Sequence, residues 1–120
     1  MSQLQPGGIY HITAREDWEA ALDQGAYLAD SLQTEGFIHC STGAQVMATA
    51  NLWFPGRRGL LLLEIAPEQT GAEMRYEGVP GGELFPHLYG ALPLAAVTRV
   101  LCLEPEEDGT FTQPGEEWSV

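Results

Sequence analysis

A chain of 120 residues with 44% hydrophobic and 18% charged side chains has the make-up of one globular domain rather than of a disordered or fibrous protein. It carries five arginines, no lysine and seventeen acidic residues, for a formal net charge of −12. That balance excludes a lysine Schiff base and a lysine phosphate clamp, and it disfavours nucleic acid, whose binding rests on clustered Lys and Arg.

No apolar run approaches the roughly 18 residues that span a bilayer. The first six residues lack the basic, apolar and cleavage regions of an export signal. No membrane association and a cytoplasmic location are therefore expected. Cys40 and Cys102 are read as reduced, buried core residues.

A single domain is expected over residues 1–120, with a core from 8 to 112 and a loose tail from 113 to 120 in which only Trp118 packs. Residues 8–12 read as a first strand after a Pro-Gly-Gly turn signal. Thr13, with Glu16 three residues later, fits a capping box. Trp18, Ala21 and Leu22 form the apolar face of the helix it opens, and Gly25 stops that helix. Residues 26–35 read as a connection, with Tyr27, Leu28 and Leu32 as packing points. Residues 36–40 are a short second strand. Ser41 or Thr42 caps the next helix, whose inner face is Val46, Ala50 and Trp53 and which Pro55 and Gly56 end.

The run 60–65 is the strongest strand, apolar on both faces and so central. Residues 74–77 alternate like an exposed strand, 78–83 form a glycine-rich loop, and 84–90 are an irregular apolar segment interrupted by Pro86. A long β-like run covers 96–103, and 109–112 is a candidate edge strand. The class is α+β, with two main helices against a curved sheet.

Chemistry-capable side chains concentrate in three segments. They hold His11, His39 and His87, each with a hydroxyl two residues on, at Thr13, Ser41 and Tyr89. The first two segments end strands where helices begin, a geometry that favours anions. A histidine there acts as a general acid or base near neutral pH or donates to a ribose hydroxyl; it also serves as a core residue bonded to a backbone carbonyl. Glu83 follows two glycines and reads on its own as a solvated loop carboxylate. Adjacent strand positions point to opposite faces, so His39 and Cys40 do not form a base–nucleophile pair. No phosphate loop, dinucleotide fingerprint, nucleophile elbow or CxxC pair is present. A zinc centre on His11, His39 and His87 has the right number of ligands, but no close ligand spacing supports it, and no metal is expected.

The blocks around Tyr10-His11-Ile12-Thr13, Gly36-Phe37-Ile38-His39-Cys40-Ser41-Thr42 and Phe85-Pro86-His87-Leu88-Tyr89-Gly90, with Trp18, Gly25, Tyr27 and Arg75-Tyr76-Glu77, closely resemble the domain-of-unknown-function family 952 over residues 8 to 103. Its fold is similar to that of ADP-ribosyltransferases, in the RNA 2′-phosphotransferase branch. The resemblance implies a curved, antiparallel-rich split barrel and NAD as cofactor. On that comparison His11 contacts a ribose, the Ile12 backbone holds the nicotinamide amide, and Thr13 supports His11. His39 and Ser41 line the nicotinamide ribose and phosphate pocket, beside His87 and Tyr89. Glu83, with Glu77 in reserve, stabilises developing positive charge and accepts a proton, and Arg75 or Arg57 meets the phosphates.

Two departures stand out. Ile12 replaces a glycine and puts a side chain near the nicotinamide, and the basic residues used on RNA have no counterpart, so RNA is not carried over as substrate. The expected function is NAD-dependent ADP-ribosyl transfer or NAD cleavage on a small nucleotide-like ligand. The alternatives are a non-catalytic nucleotide or ADP-ribose binding module, a histidine-based and metal-dependent or acid–base hydrolase, and an interaction domain with structural histidines.

Overall fold

The computed structural model describes residues 4–118. Along the chain run β1 (Ile9–Ala14), α1 (Arg15–Gln24), β2 (Ala26–Tyr27), α2 (Asp30–Thr34), β3 (Ile38–His39), β4 (Ser41–Thr42), α3 (Val46–Trp53), β5 (Leu60–Ile65), β6 (Glu73–Glu77), β7 (Phe85–Tyr89), β8 (Leu92–Pro93) and β9 (Val97–Leu103).

The strand with the most continuous apolar sequence takes the most enclosed place. β5 pairs antiparallel with β1 on one side and β9 on the other, in a sheet ordered β4-β1-β5-β9. Its side chains alternate into two cores. Leu61, Leu63 and Ile65 meet Trp18, Ala21, Tyr27, Ile38 and Leu88 on one face. Leu60 and Leu62 meet Tyr10, Ile12, Val46, Ala50 and Phe111 on the other. One face is thus covered by α1 and by a second antiparallel sheet, β3-β7-β6, and the other by α3.

The two sheets are joined at Cys40, where the chain leaves β3 and enters β4. The Cys40 N–H donates to the Pro86 carbonyl at 3.0 Å. Pro86 has no N–H to return, so the β3–β7 ladder ends here and β4 turns to pair with β1.

The α+β class and the antiparallel sheets are as expected. Among the described residues the sheets remain open and no barrel closes. Among the described residues three α-helices form rather than two, because the expected connection 26–35 folds into β2 and α2. The capping box does not form: Ala14 is the N-cap of α1 with no side-chain cap, and Thr13 belongs to β1. Ser41 and Thr42 do not cap α3, because the ladder with β1 uses them and Gln45 precedes the helix. Gly25 does stop α1, in the left-handed region at φ 92° where a glycine is favoured.

Trp53 is 72% exposed rather than inward, since Phe54 departs from helical geometry and packs in its place. Residues 84–90 are not irregular; β7 alternates Pro86 and Leu88 inward with Phe85, His87 and Tyr89 outward. The candidate edge strand at 109–112 is absent. Asn51 takes over its pairing, with Phe111 N–H donating to Oδ1 at 2.7 Å and Nδ2 donating to Phe111 O at 2.9 Å. The tail is not loose as far as Trp118, because Cys102 donates to Glu116 O and Trp118 donates to Val100 O along the β9 edge. Residues 119 and 120 of that tail lie outside the described residues.

Candidate functional site

β1 positions the first group. Its odd residues face the α1 side, which buries His11 and Thr13. The His11 Nδ1–H donates to the backbone carbonyl of His39. The Tyr27 hydroxyl, from β2, stands 2.9 Å from His11 Nε2 and 2.9 Å from Thr13 Oγ1. Were the tyrosine to donate to Thr13, His11 would have to donate at both nitrogens and carry a charge. Burial opposes that charge and pushes the imidazole down to about 4, with the His39 carbonyl acting the other way. At neutral pH the ring is therefore neutral, Tyr27 donates to Nε2, and Thr13 donates to the tyrosine oxygen. Burial also raises the Tyr27 phenol, to about 12, so it stays a donor.

The even residues of β1 face the other core, and the Ile12 side chain packs there against Tyr10 and Val46. Their backbone groups lie on the β4 side of the strand. Gly43 N–H bonds Gly8 O on that side, and Arg15 N–H bonds Gly59 O on the β5 side, so alternation aims Ile12 N–H and C=O away from β5. β4 pairs only with Ile9 and Tyr10. Past Tyr10 this edge of β1 has no strand beside it among the described residues.

The open edge borders a pocket of about 360 Å³ lined by His11, Ile12, Thr13, Asp17, Tyr27 and Asp30, with Leu28, Phe54 and Arg57 also on its wall. That volume is within the range of small-molecule sites. Two carboxylates and one guanidinium give it opposite charges on different parts of the wall.

The second group sits on the outer face of the β3-β7-β6 sheet. His39 is directly opposite His87, and His87 is directly opposite Arg75. The imidazole centres of His39 and His87 are 5.3 Å apart. Phe37 stacks on His87 at 4.1 Å and meets His39 edge-on at 4.8 Å. Glu77 Oε1 accepts from His87 Nδ1 at 2.9 Å and from the Tyr89 hydroxyl at 2.6 Å. These two bonds hold the Glu77 carboxyl below its usual range, that from Tyr89 more than that from His87. Glu35 Oε2 accepts from His39 Nε2 at 3.0 Å. The Arg75 guanidinium lies over the Tyr89 ring at 4.3 Å and pairs with Glu73 at 2.9 Å.

The three histidines thus do not gather as side chains in one place. His39, His87, Tyr89 and Arg75 come together on the outer sheet face. His11, Ile12 and Thr13 meet at the pocket, joined to the other group only through the His39 carbonyl. Ser41 is buried beneath α3, its Oγ 3.0 Å from Thr49 Oγ1, and lines neither group. Glu83 is exposed in the β6–β7 loop and joins neither; the carboxylate that meets His87 is Glu77. Cys40 points into the core, and burial pushes its thiol up to about 12. Among the described residues no set of three or more His, Cys, Asp and Glu side chains is placed to hold a metal.

Sequence reading passed over Asp17, Asp30, Phe37 and Glu35 as site residues and took Tyr27 for packing alone. Phe37 was within reach, since it stands two positions before His39 and period two puts both on one face. Tyr27 was not, because its hydroxyl meets His11 across a separation of 16 residues that no local pattern encodes.

The model of the family described as "Protein of unknown function (DUF952)" matches residues 12–100. Protein CC0527 from Caulobacter crescentus, solved by X-ray crystallography, is 39% identical, with a TM-score of 0.79 over 88% of this chain and 93% of that one. The crystal structure of a double mutant of CC0527 gives a TM-score of 0.78 at the same identity and coverage. The solution NMR structure of CC0527 gives 0.75, over 86% of this chain and 90% of that one. None of the curated proteins compared with the chain matches it.

Proposed function

Because the chain belongs to the DUF952 family, described only as proteins of unknown function, its activity has to be argued from its own site, and we propose that it binds NAD by the nicotinamide end and works as an ADP-ribosyl-transfer or NAD-cleaving enzyme. The observation that carries this reading is the open edge of β1 at Ile12, bordering a pocket of about 360 Å³.

A carboxamide offers one acceptor oxygen and an NH₂ donor. A strand residue with both backbone groups turned to an open edge matches that pattern in one step. The isoleucine in place of the expected glycine does not crowd this edge, since its side chain packs in the opposite core.

When bound, NAD supplies an ADP-ribosyl group attached to a nicotinamide leaving group. Asp17 and Asp30, in the role expected of Glu83, would stabilise positive charge developing at the ribosyl carbon from the exposed rim of the pocket. Arg57, whose guanidinium stands 5.7 Å from the centre of the Phe54 ring, meets the phosphates from the same pocket. His11 is a positioning residue: both its nitrogens are already bonded, and it holds the β1 wall in place with Tyr27 and Thr13.

The test is the melting temperature with and without millimolar NAD, in the parent and in Ala20→Trp, followed by an assay for released nicotinamide. Ala20 is exposed on α1 and lines the pocket, so the indole fills the site without entering the core. Ligand at a hundred times its dissociation constant stabilises a protein by about 2.7 kcal/mol. A rise in the parent that the variant lacks, with nicotinamide released, supports the enzyme. A rise without release assigns a non-catalytic nucleotide-binding module. No rise at millimolar NAD removes the NAD reading.

A further inference from the structure

The outer face of the β3-β7-β6 sheet carries a second site that the pocket does not use, as neither His39 nor His87 lines it. These two residues are direct cross-strand neighbours. The Cys40 N–H→Pro86 O bond beside them makes theirs the non-hydrogen-bonded kind of pair, in which Cα atoms come to about 4.5 Å and side chains are closest.

Each ring is held at one nitrogen by a carboxylate, His39 Nε2 by Glu35 at 3.0 Å and His87 Nδ1 by Glu77 at 2.9 Å. A carboxylate only accepts, so in the neutral rings these nitrogens carry the protons. The lone pairs are then on His39 Nδ1 and His87 Nε2, and no described residue bonds either atom.

A lone-pair imidazole nitrogen whose partner nitrogen is backed by a carboxylate is the usual state of a metal-binding histidine. Here two stand side by side. Two imidazoles on one tetrahedral ion, each nitrogen ~2.0–2.1 Å from it, have ring centres roughly 5 Å apart. The observed separation is 5.3 Å. Phe37 packs against both rings.

The local field decides the sign of the ligand. Glu35, Glu73 and Glu77 face a single cation, Arg75, which Glu73 already pairs. Around neutral histidines this leaves a negative patch on a chain of net charge −12. Such a patch attracts a cation and repels a phosphate.

We propose that His39 Nδ1 and His87 Nε2 bind one divalent transition-metal ion of the imidazole-preferring class, such as Zn²⁺ or Co²⁺. Two protein ligands leave the remaining positions to water, so the ion is exchangeable. Magnesium and calcium are excluded as occupants by their demand for oxygen ligands. Glu35 and Glu77 are positioning residues that fix the ring tautomers.

The experiment is calorimetric titration of the untagged full chain with zinc chloride, in the parent, His39→Ala, His87→Ala and Glu77→Gln. One ion per chain is expected in the parent, with affinity lowered at least tenfold in each histidine variant and about 10–100-fold in Glu77→Gln. Cobalt-induced broadening of the imidazole NMR signals in the parent gives a readout independent of variant folding. It is expected to be strongest at His39 and His87 and weaker at His11, whose ring is bonded to the His39 carbonyl. Unchanged affinity in a folded histidine variant, no zinc binding at millimolar concentration, or broadening at His11 instead would each overturn the proposal, and none of these results bears on whether the pocket binds NAD.

Discussion

The imidazole of His11 donates to the backbone carbonyl of His39, so a buried ring on the pocket wall anchors the strand that carries an exposed ring on the opposite side. The Tyr27 hydroxyl completes that anchor from β2. Replacing Tyr27 by Phe leaves His11 Nε2 and Thr13 Oγ1 buried without their shared partner. Tyr27→Phe is expected to cost about 1–3 kcal/mol. Urea denaturation checks it, and an unchanged midpoint would show that water or a neighbour satisfies both atoms.

Glu64 contributes to the acid limb of stability, beside His11, whose buried neutral ring loses its contribution as pH falls from the unfolded value of 6.5 toward about 4. Burial acts to raise its carboxyl, but hydrogen bonds from Tyr10 at 2.7 Å, Arg99 at 3.0 Å and Thr98 at 3.1 Å outweigh this and hold it below its ordinary value. A depressed carboxyl stabilises the fold above its unfolded value of 4.5 and loses that contribution as pH falls through the lower folded value. Glu64→Gln is expected to lower stability by on the order of 1–3 kcal/mol at neutral pH and to flatten the loss below pH 4.5. Melting curves from pH 7 to pH 3 measure both effects.

Asn51 replaces a strand partner for residue 111 through its two bonds to the Phe111 backbone. Asn51→Ala leaves that amide and carbonyl unpaired and loosens the lid that Phe111 forms over the core containing Tyr10 and Leu62. The expected destabilisation is about 1–3 kcal/mol, with faster hydrogen exchange at the Phe111 amide. Slow exchange in the variant would assign the protection to burial alone.

The two thiols should differ in the native state. Cys40 is buried with its thiol raised to about 12, while Cys102 is only partly covered. An aromatic disulfide reagent is expected to label Cys102 first and Cys40 only on unfolding. Labelling of both at equal rates would mean that the β3–β4 step opens readily.

Local periodicity was enough to mark β1, β5 and β9, because an apolar run or an alternation is a property of consecutive residues. The Gly25 stop was legible for the same reason, since one residue supplies the left-handed conformation. Pro86 misled because a strand proline is excluded only where its N–H is needed. Here the partner strand ends at His39, a fact about residues far away in the chain.

The candidate site divides along the same line. Residue identity and spacing name the groups that carry chemistry, namely three histidines and their neighbouring hydroxyls in an acidic chain without lysine. How they group follows from strand pairing. The step at Cys40 sends β3 and β4 into different sheets, which puts His39 beside His87 and leaves His11 on the far side of the His39 backbone. Cross-strand register and the open edge at Ile12 arise from pairings between distant segments. No pattern within either segment encodes them, because which strand lies beside which is fixed by the packing of the two cores.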